Sequence, residues 1–487
     1  MHRIKLNILR VLLAIFLFLC VLPVRGQTVS LEETDLTPGD SPAGIYLGLD
    51  EDLFIVDQTR LLWKINPETG DYFYYDGVGG DELMDISFES STLLWWADAT
   101  TTFGSFDLSS NTLLSWQVND FNPEEEPLQL GPVAYGLGKV WLASYFGPQF
   151  GIFSFFSGAE SNQLCLYKLP SGLDAADIIF YDDLLWAIDW GSDTLFSIDS
   201  DGNLLTYPTA SSGNIRADAN LVSDGTNLWW PAYYDNAIVR YNSADGEIAK
   251  FNLPISQQPR NINLQTINSE LFVWYTSGNN SFGRLDPNNA EDVTIIPSII
   301  PAPTAIDPEC IDIGDANQEQ LSPENDRFLW NGIEEEMTEL DTGIVNFSLP
   351  DGAEPFGITN ASGYIWVTDL EWDKLIRMPI ESEPEQAYII VDKVVINNDG
   401  GLAQPDDFLL TLDGDPVTRG MAVPVEPGTH IAGENLLEGY TRIGFSGDCN
   451  SSGEVTVAQG ETKTCTLTND DVGEGDDFQV YIPLILR

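Results

Sequence analysis

The sequence predicts an all-β protein: a seven- or eight-bladed β-propeller followed by a small C-terminal β-sandwich. Three observations lead there. A β-rich run with an aromatic anchor recurs about every 44 residues, and hairpins with tight-turn residues follow it in the same phase. All thirteen tryptophans lie between Trp63 and Trp372, so composition changes near residue 385.

The N-terminus comes first. His2, Arg3, Lys5 and Arg10 precede an apolar run from Val11 to Val24, then Arg25, Gly26 and Gln27. This is the pattern of a secretory signal peptide over 1–26. Fourteen apolar residues fall short of the roughly 20 that a spanning helix needs, and Leu19 before Cys20 departs from the small residue of a lipoprotein signal. The mature chain is therefore expected to have no transmembrane helix and to be secreted or displayed on a bacterial cell surface.

Removing 1–26 takes the 21 basic residues to 17 against 76 acidic ones, a net charge of −59. So few cations build no phosphate-binding surface, which excludes nucleic acid as a partner, and anionic membranes are disfavoured on the same ground. With 43% apolar residues the acidity belongs to the surface of a folded protein. Four cysteines remain, an even number that permits disulfides in an exported chain. Cys449 and Cys465 are the disulfide candidate; Cys165 and Cys310 either pair or stay as buried thiols.

The propeller is expected over 27–385. Its motif appears as LFIVD (53–57), LWWAD (94–98), VWLAS (140–144), LWAID (185–189), LWWPA (228–232), LFVWY (271–275) and IWVTD (365–369). The anchors Phe54, Trp95, Trp141, Trp186, Trp229, Phe272 and Trp366 are 41, 46, 45, 43, 43 and 94 residues apart. A degenerate copy around Phe328 to Trp330 fills the double interval, which makes eight repeats; seven blades follow if 302–350 is an insertion. Hairpins such as 195–207 and 239–251 carry Asp-Gly pairs that supply the positive-φ positions of tight turns. Such periods with several short strands per unit mean a propeller, and Val29 to Leu36 is expected to supply the outer strand that closes the ring.

The unit, a strand with Leu-Trp-x-x-Asp and then a hairpin, resembles the repeats of the virginiamycin B lyase (streptogramin lyase) propellers, and more distantly NHL and gluconolactonase-type propellers. The resemblance covers roughly 350 residues and concerns blade-forming positions. It implies a histidine base with glutamate-bound Mg²⁺ for the active lyases. This chain has only His2 and His430, so its propeller has no histidine and active streptogramin lyase chemistry is excluded.

After a linker at 382–386, residues 390–472 show short strands with turn signals at about ten-residue spacing, a β-sandwich pattern. This part resembles the prealbumin-like, collagen-adhesin B-type stalk domains of bacterial surface proteins through Lys393, Pro427-Gly428, Glu434 before Gly439-Tyr440, and Asn469. The resemblance implies an isopeptide bond between Lys393 and Asn469 assisted by Glu434; the bland alternative is a solvated lysine and a turn asparagine. Residues 473–487 are an acidic linker and a tail, FQVYIPLILR, that is either a sorting tag or a last docking strand.

Chemistry elsewhere is limited to oxygen ligands, which suit Ca²⁺ or Mg²⁺. Asp57, Asp98, Asp189 and Asp369 each follow an aromatic anchor by three residues, so the repeat sets them at equivalent heights as a partial ring; the alternative is that each caps its loop. The pairs Trp95-Trp96 and Trp229-Trp230 put adjacent indoles on opposite faces of a strand, either into a groove that stacks on a sugar or peptide or into the packing between blades. The expectation is a non-catalytic binding or surface-interaction propeller on a β-sandwich stalk, with an extracellular glycan or protein as ligand. The alternative is a divalent-metal lactonase or hydrolase of gluconolactonase type, using carboxylate ligands.

Overall fold

The computed structural model describes residues 27–473 except 37–40, 80–81, 119–128, 147–150, 158–161, 171–172, 191–193, 209–215, 217–218, 255, 297–302, 342, 381–386, 426 and 459–460. The expected signal peptide and C-terminal tail lie outside the described residues. The chain divides into two compact units, Met1–Ile380 and Glu381–Arg487. No helix among the described residues is long and apolar enough to cross a membrane.

The first unit is a propeller with seven blades among the described residues. Blades 1 to 5 are consecutive antiparallel meanders that begin at Pro42–Leu47, Leu83–Phe88, Gln129–Gly136, Ala175–Tyr181 and Val222–Ser223. Blade 6 consists of Pro259–Ile267, Glu270–Ser277, Ser281–Leu285 and, from further along the chain, Ile344–Ser348. Blade 7 takes Pro355–Ala361, Tyr364–Asp369 and Lys374–Pro379, and its outer strand is the N-terminal Gln27–Asp35, which pairs Glu33 with Ile376. The two ends of the unit thus share one sheet, and that leaves no open edge between first and last blade.

The seven aromatic anchors map one to one onto the second strands of the seven blades, and all are buried. A strand displays alternate residues on opposite faces, so neighbouring indoles enter different seams. Trp96 packs between blades 1 and 2 while Trp95 packs between blades 2 and 3. Likewise Trp230 belongs to the seam of blades 4 and 5, and Trp229 to that of blades 5 and 6. Seven apolar clusters, one per seam, complete the ring among the described residues.

The eighth repeat is corrected to an insertion. Residues 293–341, between the third and fourth strands of blade 6, run backwards around the rim as a belt. Val293–Ile296 pairs with the outer strand of blade 5, Thr304–Ala305 with blade 4, Glu309–Asp312 with blade 3, Asn317–Gln320 with blade 2 and Glu324–Arg327 with blade 1. Asn331–Asp341 then bridges Gln27–Asp35 to Ile344–Ser348, fusing blades 6 and 7 into one sheet. Segments such as Asn-Gln-Glu-Gln and Glu-Asn-Asp-Arg lack the apolar alternation needed to build a sheet face, but their backbone is sufficient to cap an edge. A disulfide between Cys165 and Cys310 fastens the belt to blade 3.

The second unit contains two four-stranded sheets around one apolar core. Its first and last strands, Ala387–Ile396 and Thr462–Asp471, run parallel side by side, and Cys449 is bonded to Cys465 with Cα atoms 5.1 Å apart.

Candidate functional site

Asp57, Asp98, Asp189 and Asp369 end the second strands of blades 1, 2, 4 and 7, fully buried, as the repeat requires. Their oxygens are used locally. Asp57 accepts from Thr59 N (2.7 Å), and Asp98 from Thr100 N (2.9 Å) and Thr102 N (3.1 Å). Asp189 accepts from Asp174 N, and Asp369 from Trp372 N and Glu354 N, both at 2.8 Å. A carboxylate that receives backbone N–H groups two to five residues away is a turn cap. Among the described residues no group of three or more His, Cys, Asp or Glu side chains is placed to hold a metal ion, and each of the four carboxylates accepts backbone N–H groups of its own blade, from the following turn at Asp57 and Asp98, from the strand entry at Asp189 and from both at Asp369.

Two carboxylates that sequence reading passed over lie at the centre instead. Asp85 and Asp177, on the innermost strands of blades 2 and 4, sit deep in the propeller beside Tyr46 of blade 1. Asp85 accepts from Ile86 N (2.8 Å) and, across the seam, from Val133 N (2.7 Å). Asp177 accepts from Ile178 N (2.8 Å) and Leu221 N (2.6 Å) of the next blade. Asn220 does the same from blade 5, accepting from Ile262 N at 2.8 Å. Burial raises the pKa of both acids, and the charge of Asp85 raises Asp177 further. The sequence signal was an Asp-Ile pair nine or ten residues before Trp186 and Trp95.

At blade 4, Asp174 is buried beside Asp189 and accepts from the Trp190 indole at 2.6 Å. Burial drives its carboxyl up to about 7, with the Asp189 charge adding to the rise.

The seam between blades 2 and 3 holds a cavity of about 530 Å³, lined by Trp95, Trp116, Tyr135 and Phe155 together with Glu89, Asp107, Ser105, Ser110 and Thr112. Of the two tryptophan pairs, Trp95 thus borders a cavity while Trp96 is packed between blades.

In the second unit Lys393 and Asn469 lie on the inner face of the adjacent parallel strands, where Lys393 is level with Leu467 and Val395 with Asn469. Lys393 Nζ is 2.5 Å from Glu434 Oε2, and both side chains are fully buried. Neither the amide nitrogen nor the oxygen of Asn469 has a hydrogen-bond partner, nor has Glu434 Oε1. Burial lowers the Lys393 pKa, opposed by its contact with Glu434. His430, in this unit, meets Asp413 at 2.6 Å.

No family model and no curated protein matches the sequence. Among solved structures, the chain is similar to a catalytically inactive virginiamycin B lyase from Staphylococcus aureus with quinupristin: 20% identity, TM-score 0.51, covering 73% of this chain and 100% of that one. It is similar to a streptogramin B lyase with the same identity and TM-score, over 72% of this chain and 97% of that one. At such identity the likeness carries the fold alone, and the first unit is a β-propeller of the kind those lyases are built on.

Proposed function

We propose that the chain is an exported, non-catalytic binding propeller carried on a self-cross-linked, prealbumin-like stalk. The observation that carries this reading is the buried group of Lys393, Glu434 and Asn469. An asparagine amide buried with both its polar atoms unmet costs about 1–3 kcal/mol per group, and reaction with an amine would remove the unmet NH2 group. A lysine whose charge is disfavoured by burial supplies a neutral amine. Its Nζ forms a bond to Asn469 Cγ, the Cγ–Nδ2 bond breaks, and Glu434 relays the proton lost by Nζ to Nδ2, which leaves as ammonia. The tie joins the first and last strands of the unit, where it resists extension.

Intact-mass measurement tests this: the purified chain should be lighter by one ammonia than its sequence, and Lys393→Ala and Glu434→Ala should each restore the unmodified mass. An unmodified wild-type mass refutes the cross-linked stalk.

A lactonase-type metal enzyme draws support from Asp85 and Asp177 at the propeller centre. Against it, all four of their oxygens already accept backbone N–H groups, and cation ligation would strip donors from two seams.

A further inference from the structure

We infer that the cavity between blades 2 and 3 is a binding site for a neutral saccharide of one or two rings. This rests on the reading of the propeller as a binding module and gives that module a ligand class.

As the belt circles the rim it lends apolar side chains to every seam. Between blades 7 and 1 it inserts Phe328, with Trp330 beside it, and between blades 1 and 2 it buries Leu321. Over the seam of blades 2 and 3 it passes with Ile313, Gly314, Asp315 and Ala316, and Ile313 and Ala316 stay only partly buried against that core. Its path there is held on both sides. Asn162 Nδ2 donates to Gly314 O at 2.7 Å on blade 3, and Gln320 Nε2 donates to Asn111 O at 2.9 Å on blade 2. At this seam the belt contributes Ile311, Ile313 and Ala316, all only partly buried.

The walls have the chemistry of a sugar site. Tyr135 is the half-buried ring at the cavity, and it is backed by Trp95, Trp116 and Phe155, which are buried against one another with Trp95 and Trp116 centroids 6.0 Å apart and Phe155 4.8 Å from Trp116. Glu89 accepts from the Trp95 indole at 2.7 Å and also bonds the Tyr135 hydroxyl, which fixes both rings. Ser105, Ser110, Thr112 and Asp107 supply hydroxyl and carboxylate oxygens for sugar hydroxyls. The Trp116 indole N–H, in the same wall, has no acceptor. The volume falls within the roughly 300–1,000 Å³ of small-ligand sites, which join an apolar lining to a few placed polar groups. Glu89, Asp107 and the chain's net charge of −55 disfavour uronic, sialic or sulfated sugars.

Tryptophan fluorescence and calorimetric titration of the full chain with maltose, cellobiose, lactose and diacetylchitobiose test the site. At least one should bind saturably, with a change in tryptophan emission. Ser110→Trp places an indole at the mouth from an exposed hairpin, and should weaken that binding at least tenfold at an unchanged melting temperature. Tyr135→Ala should weaken it similarly. Binding that survives Ser110→Trp overturns this site while leaving the propeller a binding module. If none of the four sugars binds, the saccharide assignment is overturned, and a peptide array then decides the broader reading separately.

Discussion

Both units bury polar side chains, but they treat them differently. In the propeller, Asp98 sits at the end of its strand with backbone N–H groups delivered to it by its own turn, and Asp85 and Asp177 spend their oxygens fastening one inner strand to the next. In the C-terminal unit, Lys393 contacts Glu434 Oε2, while Glu434 Oε1 and both polar atoms of Asn469 are buried without a hydrogen-bond partner. An acid whose oxygens are filled by nearby main-chain donors is architecture. A buried amide with no partner departs from the near-universal pairing of buried polar groups, and the proposed cross-link would account for it.

The largest effect that sharpens this contrast is expected at Lys393. Lys393→Ala removes the proposed tie and leaves buried Glu434 without the Lys393 nitrogen it contacts, costing at least the roughly 1–3 kcal/mol of an unmet buried polar group. The second unit should melt far earlier, as read by calorimetry, while the propeller transition stays in place. Equal loss in both transitions would contradict the division of labour.

Next in size is a pH effect confined to the propeller. The Asp174 carboxyl, pushed up to about 7 against an ordinary value near 3.9, stabilises the fold while it is protonated. Because the folded pKa is the higher one, that stability is complete below about pH 4 and is lost as pH rises through about 7. The loss is on the order of 4 kcal/mol, and burial at Asp85 acts in the same direction. The propeller should therefore melt at lower temperature at pH 8 than at pH 5. Asp174→Asn should flatten this slope; an unchanged slope would trace it to general surface repulsion.

The smallest effect concerns the caps. Asp98→Ala removes the acceptor for two backbone donors and should cost about 1–3 kcal/mol, measured by denaturant unfolding, with Ca²⁺ giving no protection in wild type or variant. Calcium-dependent stabilisation lost in the variant would restore the metal reading.

The contrast also marks what was legible. Asp57, Asp98, Asp189 and Asp369 were found by their phase, since a repeat puts equivalent residues in equivalent places, yet phase cannot say whether a carboxylate faces a neighbour blade or its own turn. Lys393, Glu434 and Asn469 stood out because a resemblance named them; no spacing of 41 and 35 residues would have brought them together. Asp85 and Asp177, 92 residues apart, share the centre only because two innermost strands converge there.

What the sequence determined by itself is local. The inner three strands of each blade are encoded locally by alternating apolar positions, an aromatic anchor and turn residues, and one anchor falls on each of the seven blades, although the degenerate copy around Phe328 to Trp330 counted as an eighth repeat. The belt was decided only in the tertiary structure. Its strands attach through main-chain hydrogen bonds to partners such as Tyr74 for Glu324 and Ser115 for Asn317. Backbone pairing at the rim asks little of side chains, so Asn-Gln-Glu-Gln reads as a loop until an edge strand lies beside it.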